Sequence, residues 1–272
     1  MLAVPLGNLS REDQTDLDLG DSRITHKSEL RPIVQNFIEK IAGSDYEFVL
    51  QMPQRNEVPR NTLDRALTIF KLFKDSLVLS RCIFDETKLV DLAPHYTHYI
   101  DQHRGVPPYH LARSEESEFA AFWNEFTLLP PTDFAVHRFH LADYRAYSSD
   151  RFVDYVESLE YLLVPDSDEG EISYKFRTRA ALLLGRNKGA DERDSLLSEF
   201  KQAYHLRSVI VHGDKKEEVK LVPNSRWEDR IRPVRCHDRE VIKYFFREEC
   251  LDNQNNRVDL LKRKLILEAK VE

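Results

Sequence analysis

Cysteine is scarce in this chain and never paired in sequence. Cys82, Cys236 and Cys250 are the only three in 272 residues. The odd count and the lack of a CxxC pair argue against both a disulfide framework and a zinc ribbon. Glycine is also sparse, at 8 residues beside 12 prolines, while 41% of residues are hydrophobic and 32% charged. That balance excludes collagen-like, repeat and low-complexity chains and leaves a globular protein with a buried core. No apolar run approaches the roughly 18 residues that cross a bilayer, and the 1–7 segment lacks the length and basic flank of a secretory signal. No membrane association is expected, and the expected compartment is the cytosol. A broad basic field is missing too. The formal net charge is −7, so any contact with nucleic acid must be local and directed.

What is present divides the chain in two. Residues 1–150 hold 16 Lys and Arg against 23 Asp and Glu, and residues 151–272 hold 24 of each, so the whole deficit lies in the first part. Nine of the twelve prolines precede residue 132. In the first part, Leu30, Ile33, Phe37, Ile38 and Ile41 have helical spacing, and 46–52 reads as a strand. A helix is predicted over 62–74, a buried strand over 77–84, a helix over 114–129 and a further strand over 134–141. From Ser149 the pattern turns helical. Asp150 is placed to cap a helix carrying Phe152, Tyr155, Val156, Leu159 and Leu163. Further helices are predicted over 172–185, from Asp191 to Gly213, over 239–251 and over 256–269. The poorly periodic, charged stretch 214–236 reads as an inserted loop. The expected fold class is an α+β N-terminal domain, residues 1–148, followed by an all-α helical bundle, residues 149–272.

Chemistry concentrates at the end of the third bundle helix, Tyr204-His205-Leu206-Arg207-Ser208-Val209-Ile210-Val211-His212-Gly213. Arg207 and His212 form an R-x4-H motif. Ser208 and His212, four apart, share a helical face, and Arg207 can reach the same edge. Gly213 lets the chain turn away and leaves the imidazole at a helix end. An imidazole titrating near neutrality can move the proton of a ribose 2′-OH or of a leaving 5′-oxygen, and a guanidinium can hold the phosphate oxygens that gain charge. Such chemistry needs neither a metal nor another cofactor. DNA, lacking the 2′-OH, would resist it.

The run Arg177-Thr178-Arg179-Ala180-Ala181-Leu182-Leu183-Leu184-Gly185, then Tyr204, Arg207-Ser208 and Ile210-Val211-His212-Gly213, resembles the HEPN superfamily, in its Apea-like branch associated with abortive phage infection. Ser158-Leu159-Glu160-Tyr161-Leu162-Leu163 resembles that branch as well. The resemblance covers roughly residues 149–250. It implies a HEPN-type bundle and a metal-independent endoribonuclease, acting on RNA as a homodimer whose two R-x4-6-H motifs face one cleft. The catalytic motif maps onto Arg207, Ser208 and His212, with Glu160, Arg179 and Tyr204 as supporting residues. The tyrosine found two residues after the histidine in HEPN toxins paired with nucleotidyltransferase antitoxins is Asp214 here, which weakens the case for that partner. Two rival readings stand beside this one. The bundle can be a non-catalytic HEPN module that dimerises or binds RNA, or the protein can act as a ligand sensor through residues 1–148, where neither a P-loop nor a GxGxxG occurs.

Other groupings carry less. Glu157 and Glu160 face the same bundle region as Arg177 and Arg179 if adjacent helices pack antiparallel, and an ion pair there either positions Arg207 or simply holds the bundle. Arg226, Arg230, Arg232 and Arg235 surround Trp227, and guanidinium with indole can hold single-stranded RNA by phosphate contact and stacking. Arg226, Trp227, Arg230 and Arg232 are therefore candidate RNA-binding residues. His95, His98, His103 and His110 fit no standard metal spacing, and Cys236-His237 with Cys250 fits one still less.

Overall fold

The computed structural model describes residues 2–42, 46–53, 59–76, 78–80, 82–85, 88–92, 109–131, 133–165, 171–222, 226–248, 257 and 260–261. It separates into two compact units, Met1–Pro131 and Thr132–Glu272.

The first unit is built on a six-stranded antiparallel sheet in the order β3-β4-β5-β1-β6-β7. Its strands are β1 (Leu2–Gly7), β3 (Leu17–Asp18), β4 (Arg23–His26), β5 (Tyr46–Met52), β6 (Cys82–Asp85) and β7 (Lys88–Leu92). Two further strands, β2 (Leu9–Arg11) and β8 (Tyr109–Leu111), pair parallel as a separate ribbon. β1 pairs on both sides, with β5 and with β6, which is why almost all of its side chains are buried. Helix α1 (Pro32–Ala42) lays Val34 and Ile38 on Val49 and Phe84 of the sheet. Helices α2 (Pro59–Phe73) and α3 (Glu116–Phe126) enclose an aromatic cluster of Phe70, Phe119 and Trp123. The Tyr109 hydroxyl donates to the Phe70 carbonyl at 3.1 Å, so its polar end is satisfied inside this apolar cluster. Of the strand predicted over 77–84, the described residues place Cys82–Phe84 in β6 and Leu79 in an isolated bridge to Gly7; residues 77 and 81 lie outside the described residues.

The second unit is helical among its described residues. It comprises α4 (Phe134–Ala142), α5 (Ser148–Leu163), α6 (Ile172–Gly185), α7 (Ala190–Val211), α8 (Lys215–Leu221) and α9 (Glu228–Arg247). The mixed fold class of the chain, a sheet region followed by a helical one, agrees with expectation at this level. Helix α5 is the hub and contacts α4, α6, α7 and α9. Its buried residues, among them Phe152, Tyr155, Leu159, Leu162 and Ser158, occupy an arc of about 200°, wide enough to meet several neighbours. The Ser158 hydroxyl lies 3.0 Å from the Ala135 carbonyl of α4 and 2.8 Å from Oδ1 of the buried Asp238 of α9, tying three helices at one point.

Four expectations need correction. The 134–141 strand is helix α4: Asp133 accepts hydrogen bonds from the Ala135 and Val136 amides and starts it, and the helix buries Ala135, Val136 and Phe139. Because α4 packs on α5, the units divide at Pro131 rather than at residue 148. The described residues of the expected inserted loop 214–236 form instead α8 and the first part of α9. Asp214 caps α8 by accepting from the Glu217 amide, and α9 runs through Pro233. Asp150 lies in the first turn of α5, whose N-cap is Tyr147. Most of the helix predicted over 256–269 falls outside the described residues.

No helix of the described residues is long and apolar enough to cross a membrane.

Candidate functional site

The end of α7 is fixed by its own backbone. His212 is the C-cap residue, Gly213 follows at φ +74°, and Asp214 comes next. The Gly213 amide donates to the Ile210 carbonyl and the Asp214 amide to the Val209 carbonyl, both at 3.0 Å. This is a Schellman closure, which needs a left-handed residue at the position Gly213 occupies. Asp214 then caps α8, so the chain turns from one helix into the next within two residues of His212. The imidazole is left exposed at the corner.

Arg207 lies five residues earlier, about 140° round the helix from His212. It is half-buried against α5. Its Nη2 sits 3.5 Å from Glu157 Oε1 and 3.7 Å from Glu160 Oε2. Both separations exceed a hydrogen bond, so charge holds the guanidinium in place while its N–H donors stay largely unspent. The buried Nε of Arg207 and Oε2 of Glu160 make no hydrogen bond among the described residues. Arg138 of α4 approaches Glu157 from the other side at 3.3 Å and also binds Asp154 at 2.6 Å, and Arg145 binds Asp154 as well. Arginines and carboxylates thus alternate along α5, from Arg145 to Glu160.

This environment shifts the groups beside Arg207. Burial raises the Glu160 pKa above the usual glutamate value; Arg207 opposes the shift and Glu157 adds to it. Burial likewise raises that of Tyr204, helped by Glu160 and opposed by Arg207. Tyr204 packs its ring on Phe176 of α6. Among the sequence-predicted residues, then, Arg207, Glu160 and Tyr204 come together. Ser208 is half-buried, and its carbonyl accepts from the His212 amide at 3.0 Å. No side-chain hydrogen bond joins Arg207, Ser208 and His212 within one chain among the described residues. Arg179 stands apart from the trio in one respect: its Nη1 donates to the Leu163 carbonyl at the end of α5 at 2.8 Å.

The candidate RNA-binding residues gather around the start of α9 instead. Trp227 is half-buried with its ring 6.2 Å from that of Phe152, while Arg226, Arg230 and Arg232 are exposed. Arg230 donates to the Leu221 carbonyl at 3.1 Å. Of the histidine group, His95, His98 and His103 lie outside the described residues, as does Cys250. His110 stands on β8 with Nδ1 3.1 Å from the Ser10 hydroxyl. No group of three or more His, Cys, Asp or Glu side chains suited to a metal ion occurs among the described residues.

One pairing escaped the sequence reading. His237 Nε2 of α9 lies 3.1 Å from Glu199 Oε1 of α7, and this hydrogen bond lowers the Glu199 pKa. The two residues sit on separate helices, so no local spacing signals their meeting.

No family model matches the chain, and neither does any curated protein or solved structure.

Proposed function

We propose that the helical unit is a HEPN-type endoribonuclease that cuts RNA without a metal, with Arg207 and His212 as its reacting pair. The observation that carries this reading is the contrast between the two side chains. Arg207 is held by two carboxylates at distances that leave its donors unspent, and His212 is presented to solvent on a rigid helix corner. A positioned guanidinium and an accessible imidazole would supply phosphate binding and proton transfer once brought to one phosphate.

In the proposed reaction the ribose 2′-oxygen attacks the adjacent phosphorus while the bond to the 5′-oxygen breaks. A neutral imidazole takes the 2′-OH proton and an imidazolium returns one to the leaving oxygen. The products are a 2′,3′-cyclic phosphate and a free 5′-OH. Arg207 and His212 point to different sides of α7 within one chain, so a homodimer in which two copies border one cleft would complete the set of groups. A role in cytosolic anti-phage defence follows from the HEPN resemblance, and Arg226, Trp227, Arg230 and Arg232 would guide the strand.

One observation favours the rival, non-catalytic reading. Arg207 already has two anionic neighbours, as a purely structural arginine would. Incubating the pure protein with RNA in EDTA and sequencing the ends separates the two. Cyclic-phosphate ends that vanish with His212→Ala support catalysis; intact RNA bound by the protein supports the module.

A further inference from the structure

A cavity of about 510 Å³ lies between α7 and the first part of α9, away from the Arg207 side of α7. Its volume falls within the roughly 300–1,000 Å³ typical of small-ligand sites. Phe152, Leu206 and Val234, all buried, give it apolar walls. Glu199, Gln202, His205, Asp229, Arg230 and His237 supply polar groups on its lining.

Two of these groups, Glu199 and Arg230, have fixed and opposite roles. Glu199 is kept ionised by the hydrogen bond from His237, so it can only accept. Its carboxylate therefore calls for a ligand edge that presents N–H donors. Arg230 can only donate. It is anchored by its bond to the Leu221 carbonyl and lies 3.5 Å from the Gln202 side-chain oxygen, and a guanidinium has five N–H groups, so donors remain for a ligand edge that accepts. A flat apolar body with adjacent donors on one edge and acceptors on the next matches this lining. Guanine has that pattern: N1–H and the N2 amino group lie side by side, and O6 and N7 follow round the ring. Adenine and cytosine offer a single amino group next to an acceptor nitrogen. Uracil would turn carbonyl oxygens toward the Glu199 carboxylate.

We propose that this cavity is a guanine-binding site, in which Glu199 accepts from the N1 and N2 donors, Arg230 donates to O6 or N7, and Phe152, Leu206 and Val234 enclose the ring. The guanine can belong to a free nucleotide or to an unstacked residue of single-stranded RNA. In the second case the site deepens the ribonuclease reading by choosing one base of the substrate. Binding is measurable without cleavage, so the two ideas fail separately.

The thiol of Cys236 lines the same cavity and serves as a reporter. The full-length protein is treated with iodoacetamide in the presence of GMP, AMP, CMP or UMP, and alkylation of the Cys236 peptide is followed by mass spectrometry. GMP should protect Cys236 saturably and at lower concentration than the other three. Glu199→Gln, which keeps the side chain's size on a half-exposed helical position, should raise the GMP concentration needed by about tenfold or more with unchanged circular dichroism. Equal protection by all four nucleotides, no protection by any, or an unshifted Glu199→Gln titration would overturn the proposal. Short single-stranded RNAs with and without one guanine then identify the source. Tighter protection by the guanine-containing strand than by GMP supports the site as a reader of RNA, and protection by GMP at least as tight as by the strand supports it as a nucleotide site. His212→Ala should leave protection intact even where it abolishes cleavage.

Discussion

Arg207 sits between Glu157 and Glu160 on α5 without a hydrogen bond to either, its nearest approach being 3.5 Å to Glu157. That geometry separates two roles a single substitution would confuse. Arg207→Ala should destabilise the protein by about 1–3 kcal/mol, because it leaves two half-buried carboxylates facing each other without the guanidinium. Arg207→Ala combined with Glu160→Gln should recover much of that stability, since the repulsion is relieved and Glu157 keeps Arg138. Cleavage should not recover. Thermal unfolding and RNA cleavage measured on the same three proteins decide it; recovery of activity with stability would make Arg207 a structural residue.

For His212 the expectation is the reverse. Its ring is exposed and its backbone bonds do not depend on the side chain, so His212→Ala should change the melting temperature little. The loss of a proton-transfer group should lower the cleavage rate by at least about 10²-fold. Induced expression of the two proteins at matched abundance gives a cellular readout, in which growth slows only with His212 present. Equal growth inhibition would count against catalysis by this residue.

Two glutamates should shift stability with pH in opposite senses. Glu160 has a raised pKa in the fold, chiefly from burial. The folded state then binds its proton more tightly than the unfolded chain does, so the stability this provides is full below the unfolded pKa and is lost as pH rises through the folded one. Glu199 has a lowered pKa, chiefly from the His237 hydrogen bond. Its contribution is present above the unfolded pKa and is lost as pH falls through the folded one. Melting curves between acid and neutral pH should show Glu160→Gln gaining on the unmutated protein as pH rises and Glu199→Gln losing ground over the same change. Parallel curves for both variants would contradict the two environments.

The parts of this structure that sequence revealed are those where local chemistry and packing agree. β5 over Tyr46–Met52 and α6 over Ile172–Gly185 carry uninterrupted apolar patterns with clear ends. The corner at His212 was legible for the same reason, since Gly213 is the residue a left-handed closure selects. Helix α4 misled because Phe134 with Val136, and Phe139 with Leu141, mimic short stretches of alternation, although Asp133 announces a helix start. Helix α8 buries none of its residues, and so shows no apolar stripe at all. In α9 the second half, with Val241, Ile242 and Phe245, was legible as a helix, whereas Pro233 and dense charge hid the first half, where Ile231, Val234 and Asp238 continue the same buried face. That Glu157 and Glu160 face arginines of a neighbouring helix was readable as a hypothesis, but with Arg177 and Arg179 as the expected partners; that Arg207 takes this place, and that Glu199 meets His237, was not, because nothing in the segments specifies which helix faces meet.

The correction at α4 has a direct consequence for where the helical unit can be cut. A fragment starting at residue 132 keeps Asp133 as the helix cap and α4 on α5, whereas one starting at residue 149 removes both. In the shorter fragment Tyr155 loses the ring of Phe139, 5.8 Å away, and the nearly buried Asp154 loses both Arg138 and Arg145. Removing a buried phenylalanine side chain alone costs about 3–5 kcal/mol, a large share of the roughly 5–15 kcal/mol that holds a typical domain together. Asp154 would add the cost of a carboxylate stripped of its partners. Residues 132–272 should therefore unfold in one cooperative thermal transition with a helical far-ultraviolet circular dichroism spectrum, and residues 149–272 should show no such transition. Matching transitions in the two fragments would mean that α4 is dispensable to the unit and that the composition break near residue 148, rather than the packing of α4 on α5, marks its true edge.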